Sequence, residues 1–184
     1  MPRSGEDARR RLQHAALELY LERGYDATTT AQIAERAGVT ERTFFRHFAD
    51  KREVLFDGEA ALRAALVTAI TQAPEDLAPL AVLLAAFSAV IPILEDNRAV
   101  AEARSPVIAS TPALRERALA KAEALNHAVA AALHERGLPE SQALLAAQIG
   151  MAAFNHAARE WSTSPSRDLR TLLAQSFDDI HTLS

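Results

Sequence analysis

The sequence predicts an all-α protein of nine helices in two domains. Ala accounts for 40 of the 184 residues and Gly for only 6, and these are the best and nearly the worst helix formers. Apolar residues recur at intervals of three and four through most of the chain, and no stretch alternates polar and apolar residues as a half-buried strand would. Hydrophobic residues make up 49% of the chain, enough to bury a core.

The helices can be read from their caps. The first spans about residues 6–23, with Leu12, Ala15, Ala16, Leu19 and Tyr20 on one face and Gly24 as its stop. Thr29, with Gln32 three residues later, fits a capping box and opens a short second helix that Gly38 ends. Thr40 caps a third, with Glu41 in its first turn where the helix dipole favours an anion. Asp50 and Glu53 repeat the capping-box spacing and start a long fourth helix ending near Ala73, before Pro74. Asp76 caps a fifth, apolar through Val90, which Pro92 kinks or ends. Asn97 caps a sixth, disturbed by Pro106. Thr111-Pro112 opens a seventh that closes at Gly137. Pro139 opens the eighth, reaching Trp161, and Ser164-Pro165 opens the ninth, ending near Thr182.

Composition removes several function classes. The chain has no Cys, which excludes disulfides, thiolate metal sites and cysteine nucleophiles. No His-Glu-x-x-His motif, phosphate-binding Gly-rich loop or nucleophile elbow is present, so neither an enzyme nor a cofactor is expected. Glu123, His127 and His134 share one side of the seventh helix, opposite the apolar stripe of Leu114, Ala118, Ala122, Leu125 and Val129, and read as a solvated face rather than a metal site. The N-terminal residues MPRSGEDARRRL lack the apolar core of a signal peptide. Ser141–Ala158 carries no formal charge, but its Gln148, Asn155 and His156 suit a helix buried in protein better than a membrane span. A soluble, cytoplasmic protein is therefore expected.

The net charge of −4 weighs against a nucleic-acid partner until it is divided. Residues 1–55 hold 10 basic and 9 acidic side chains, and residues 56–184 hold 10 and 15. Thr40–Arg52 carries Arg42, Arg46, Lys51 and Arg52 against Glu41 and Asp50, a surplus of two positive charges. Within residues 28–55, TTTAQIAERAGVTERTFFRHFADKREVL, Ala34 and Gly38 provide the small residue and the tight turn of a helix-turn-helix. Ile33, Ala37, Val39 and Phe44 can form its core, which leaves the second helix for a DNA major groove. Glu41 faces a polyanion only at a cost and is placed off the groove.

Residues from about 8 to 56 resemble the DNA-binding domain of the tetracycline-repressor (TetR) family of bacterial transcription regulators. The matching pieces are Gly24-Tyr25-x-Ala27-Thr28-Thr29, Ile33-Ala34, Ala37-Gly38-Val39, Thr43-Phe44-Phe45-Arg46-His47-Phe48 and Lys51. The resemblance implies a three-helix DNA-binding domain over residues 1–55 and a larger helical ligand-binding and dimerisation domain over residues 56–184. It also implies that Thr29, Thr40, His47 and Lys51 hold phosphates, with Arg42, Thr43 and Phe45 directed to bases. Phe45 stands where many members carry Tyr, so it offers apolar contact in place of a hydroxyl. Arg46 joins Arg42 as a candidate DNA contact, with a solvated face as the alternative for both. Phe44 and Phe48 belong to the core. Arg3, Arg9, Arg10 and Arg11 form either a basic arm along the minor groove or a solvated segment.

The eighth helix is apolar or small on nearly every side and needs cover on several. Its Ala146, Ala147, Gly150, Ala153 and Ala157 allow close approach of another helix, here assigned to a second copy. A homodimer through helices near 139–161 and 165–182 is expected, and it suits a palindromic operator on double-stranded DNA. The family resemblance further implies a ligand cavity. Leu144, Gln148, Met151 and Asn155 project within about 60° of one another and suit an apolar or weakly polar small-molecule effector, with hydrogen bonding across the dimer as the competing role for Gln148 and Asn155. Phe87 and Arg104 complete the candidate pocket, with core packing the competing role for Phe87, Phe154 and Trp161. The leading expectation is a dimeric repressor released from its operator by a ligand. A DNA-binding regulator controlled by a protein partner, and a helical ligand-binding protein or enzyme with a purely structural helix-turn-helix, stay open.

Overall fold

Every helix end leaves backbone groups without partners, and how this chain satisfies them determines its architecture. A computed structural model describes residues 3–164 and 166–182. Its helices are α1 (Arg3–Arg23), α2 (Thr30–Arg36), α3 (Glu41–His47), a 3-10 turn (Glu53–Phe56), α4 (Glu59–Thr71), α5 (Pro79–Ala89), α6 (Ile91–Asp96), α7 (Arg98–Ser110), α8 (Pro112–Glu135), α9 (Glu140–Thr163) and α10 (Leu169–Thr182). No strand occurs among the described residues. The nine expected helices are all present, and α6 is an addition.

The short-range caps fall where the sequence places them. Thr29 Oγ1 accepts from the Gln32 amide at 3.2 Å, and Gln32 Oε1 accepts from the Thr29 amide at 3.0 Å. Thr40 Oγ1 accepts from the Thr43 amide at 3.2 Å. Gly38, at φ +65°, makes the turn between α2 and α3, a conformation that side chains with a Cβ resist.

Other boundaries differ from expectation. Asp50 accepts from the Arg52 and Glu53 amides at 2.8 and 3.2 Å, yet it starts only the 3-10 turn. Gly58, at φ +87°, separates that turn from α4. The fifth helix begins at Pro79, with Ala78 rather than Asp76 as its cap. Asn97 closes α6, donating to the Ile93 carbonyl at 2.7 Å. Pro106 lies inside α7 without ending it. Asp168 caps α10 by accepting from the Thr171 amide at 2.9 Å. That amide bond holds its carboxyl below the usual carboxylate range. The cap expected at Ser164-Pro165 is therefore not used for α10, and Pro165 lies outside the described residues.

The chain packs as two compact units. The first comprises residues up to Glu59 together with Ala99–Ala120, and the second comprises Ala60–Arg98 and the chain from Lys121 onward. The segment Ala99–Ala120, which the sequence reading assigns to the larger domain, thus packs with the helix-turn-helix. Val107 and the fully buried Leu114 share a core with Leu12, Ile33, Phe44 and Val54.

In the second unit α5, α9 and α10 pack on one another. Phe87 stacks on Phe154 with ring centroids 4.9 Å apart. Ala147, Gly150, Ala153 and Ala157 are all buried within this single chain. A Cβ added at Gly150 would lie 2.6 Å from Leu83 Cδ1 on α5. The close approach assigned to a second copy is therefore made by the chain's own helix. Pro79–Asp96 has a mean hydropathy of 1.8 and is more membrane-like than Ser141–Ala158. Its Val82, Leu83, Ala86, Phe87, Val90 and Ile91 are buried in this core.

Gly150→Val is expected to lower the unfolding free energy by about 1–3 kcal/mol, the usual cost of overpacking, measured by urea denaturation. Gly150→Ala should cost less, because rotation of Leu83 absorbs a single methyl.

Candidate nucleic-acid interface

The site grows out of the seven residues of α3. Phe44 is fully buried and defines the inward direction. At 100° per residue, Arg42 and Arg46 then lie about 160° from it, and both are exposed. Phe45 is 53% exposed, its ring edge-on to Phe44 at 5.4 Å. Thr43 Oγ1 lies 3.0 Å from Thr40 Oγ1, which joins the cap to the outer face. Among the described residues, Arg42 and Arg46 have no ion-pair partner.

Thr29 is exposed at the start of α2. Thr30 donates to Glu41 Oε1, tying the first turns of α2 and α3 together. Sequence reading missed this bond, because neither residue signals a partner 11 positions away.

Two expected phosphate contacts look different in the structure. His47 is half-buried, and its Nε2 is enclosed without a hydrogen-bond partner. Burial, followed by the nearby Arg46 and Arg9 cations, pushes its pKa below the ordinary histidine value. Both influences favour the neutral ring. Lys51 turns inward, where Nζ donates to the Tyr25 and Thr28 carbonyls, each at 2.9 Å. Three arginines of α1 are likewise engaged. Arg9 pairs with Asp57, and Nε of Arg9 lies 2.8 and 2.9 Å from the two carboxylate oxygens. Arg10 pairs with Asp7 at 3.3 Å, and Arg11 donates to the Ala37 carbonyl at 3.0 Å. They sit on a helix rather than an extended arm, and the side chain of Arg3 lies outside the described residues.

The candidate pocket residues fall in different environments. Phe87 and Met151 are buried in the second core, whereas Gln148 and Asn155 are exposed on α9. Arg104 belongs to the first unit, where it donates to the Leu55 carbonyl at 2.8 Å. Helical spacing groups Leu144, Gln148, Met151 and Asn155, whereas the structure buries Met151, half-buries Leu144 and exposes Gln148 and Asn155. His127 lies 3.1 Å from Glu123, both exposed. No cluster of three or more His, Asp or Glu side chains suited to a metal occurs among the described residues.

Residues 12–57 match the tetR family of bacterial regulatory proteins, and residues 77–183, more than half of the chain, match the MftR C-terminal domain. Over 89 residues, 48% of this chain and 39% of the relative, the sequence is 43% identical to the HTH-type transcriptional regulator TcmR of Streptomyces glaucescens. It is 49% identical over 43 residues to the uncharacterised HTH-type regulator YvkB of Bacillus subtilis (strain 168), covering 23% of each. The chain thus spans about two fifths or less of the curated relatives it matches. Among solved structures it is similar to Thermus thermophilus FadR, a transcriptional repressor in complex with lauroyl-CoA, at 27% identity and a TM-score of 0.56 over 92% of this chain and 91% of that one. Bacillus subtilis FadR in complex with stearoyl-CoA shares the fold, at 19% identity and a TM-score of 0.62 over 91% and 95%. With a tetR-type helix-turn-helix and an MftR-type C-terminal region on one all-helical chain, this protein belongs to the tetR family of bacterial DNA-binding transcription regulators.

Proposed function

We propose that the chain acts in the cytoplasm as a homodimeric repressor that a small molecule releases from a palindromic operator. The observation that carries this reading is the outer face of α3. Arg42, Thr43, Phe45 and Arg46 stand away from the core that Phe44 anchors. Arg42 forks onto a guanine edge, and Phe45 and Thr43 meet thymine methyls. Thr29, Thr40, Arg46 and His47 hold the backbone and set register.

The exposed side of α9 supports a second copy. Leu145 is 57% exposed, and Gln148, Ala152, Asn155 and His156 follow it on that side. Self-association through α9 and α10 would cover this stripe and set two α3 helices on one duplex.

An effector in the second unit is supported by α8. From Lys121 to Ala128 that helix buries no residue fully, although Leu125 packs against the core. Asn126 Oδ1 is enclosed without a donor, a state that costs about 1–3 kcal/mol until a partner arrives. An apolar or weakly polar molecule bearing one hydroxyl or amide fits that demand. Its differential affinity for the DNA-bound and DNA-free states sets the largest possible loss of operator affinity.

Selection from a random duplex pool should return a palindrome. Arg42→Ala should relax preference at one position per half-site, by about 1–3 kcal/mol, and failure to enrich any duplex would refute DNA reading by α3. Leu145→Glu should shift the protein to monomer in sedimentation at micromolar concentration and abolish palindrome preference. 1-Dodecanol, a neutral twelve-carbon chain with one hydroxyl, is the first effector to titrate, because the solved relative at 27% identity holds a twelve-carbon acyl group as lauroyl-CoA. Release of the selected duplex, weakened in Asn126→Leu, is the expected result.

A further inference from the structure

We propose that Lys51 is a positioning residue that holds the start of α2 in place for DNA, and that it is not itself a phosphate contact. This rests on the reading of α2 and α3 as the DNA-binding face. An ammonium group has three protons and no lone pair. Two are taken by the Tyr25 and Thr28 carbonyls at 2.9 Å each. The Tyr25 ring lies over Nζ, 4.2 Å from its centroid, a cation–π contact that occupies the remaining side. Turning Nζ out to a phosphate oxygen would therefore mean giving up at least one of these contacts.

Lys51 is held in turn. Tyr20 Oη donates to its backbone carbonyl at 2.7 Å, and Tyr20 is buried against Tyr25 with centroids 5.3 Å apart. On the loop side, Thr28 is buried and donates to the Gly24 carbonyl at 2.8 Å. The Thr28 amide donates to the Tyr25 carbonyl at 3.2 Å. The loop from Gly24 to Thr28 is thus a small rigid block with two carbonyls turned to one ammonium. Its next residue is Thr29, the exposed cap of α2. Lys51 follows α3 in the chain, so its side chain ties the segment after α3 to the residue that opens α2. It fixes the spacing of Thr29 from Arg42 and Arg46. Without it, those carbonyls lose their donor and the loop gains freedom that binding must then remove.

Salt dependence separates positioning from phosphate contact, because each neutralised phosphate contributes about one to the slope of log affinity against log salt. The probe is a duplex recovered by the wild-type protein from a random pool, titrated over about 50–200 mM salt. Lys51→Met should weaken binding about tenfold at every salt concentration, with the wild-type slope retained, while Arg46→Ala lowers the slope by about one. Adding Thr29→Ala to Lys51→Met should cost little beyond the single change, since both act through the same contact. A slope reduced by about one in Lys51→Met, or full additivity with Thr29→Ala, overturns the proposal. The wild-type protein gives a reading free of any folding defect. The Lys51 ammonium resonance should be protected from solvent exchange before DNA is added and unmoved afterwards, and a shift on adding the duplex overturns the assignment. If the wild-type protein recovers no duplex at all, the DNA-binding reading itself fails, which is distinct from either result.

Discussion

A chain of many short helices carries many terminal carbonyls, and each needs a donor once water is excluded. Basic side chains do much of this work here. Arg11 donates to Ala37 at the end of α2, Lys51 to Tyr25 and Thr28 before it, and Arg104 to Leu55 in the 3-10 turn. In the second unit Arg136 reaches the Ile70, Ala73 and Pro74 carbonyls at 3.1, 2.7 and 2.7 Å, closing α4. Arg98 donates to the Trp161 carbonyl near the end of α9 and lies over its indole ring, 4.2 Å from the centroid. These bonds satisfy carbonyls at the ends of α2, α4 and α9, in the 3-10 turn and in the loop that opens α2.

The same arrangement explains how a weakly charged region presents a positive face. Of the basic residues in the first 55, Arg9, Arg36 and Arg52 pair with Asp57, Glu18 and Glu22, and Asp50 respectively. Lys51 and Arg11 serve backbone carbonyls. Arg42 and Arg46 stand exposed on α3. The region's near-neutral count is therefore an average over satisfied pairs and one unneutralised strip, and strips rather than counts guide a polyanion.

How much of this the sequence revealed depends on distance along the chain. Caps such as Thr29 and Thr40 act three residues away, and Phe44 and Phe48 show their burial through periodicity, so both were legible. The roles of Lys51 and Arg104 were not, because their acceptors lie 23 to 49 residues away and are backbone carbonyls, which any residue supplies. Helical spacing put Gln148, Met151 and Asn155 within one arc of α9, but Met151 is buried while Gln148 and Asn155 are exposed. Spacing could not say that Leu83 covers the small face, which leaves Leu145, Gln148 and Asn155 on the side open to a second copy. The break at Asp57-Gly58 was hidden by a good capping signal at Asp50, which the structure uses for a 3-10 turn.

The membership of Val107 and Leu114 in the first core bears on how the protein is made. A ribosome releases the helix-turn-helix early, but that core closes only when Leu114, fully buried against it, has emerged. Until then the nascent α1–α3 segment shows an apolar patch where α7 and the start of α8 will lie. Domains tend to fold as units during synthesis, and here the unit is discontinuous. The first core is therefore complete only after the chain has passed through Ala60–Arg98, part of the second unit. A growing chain thereby completes its first unit while the larger part of the second, from Lys121 onward, is still to be translated.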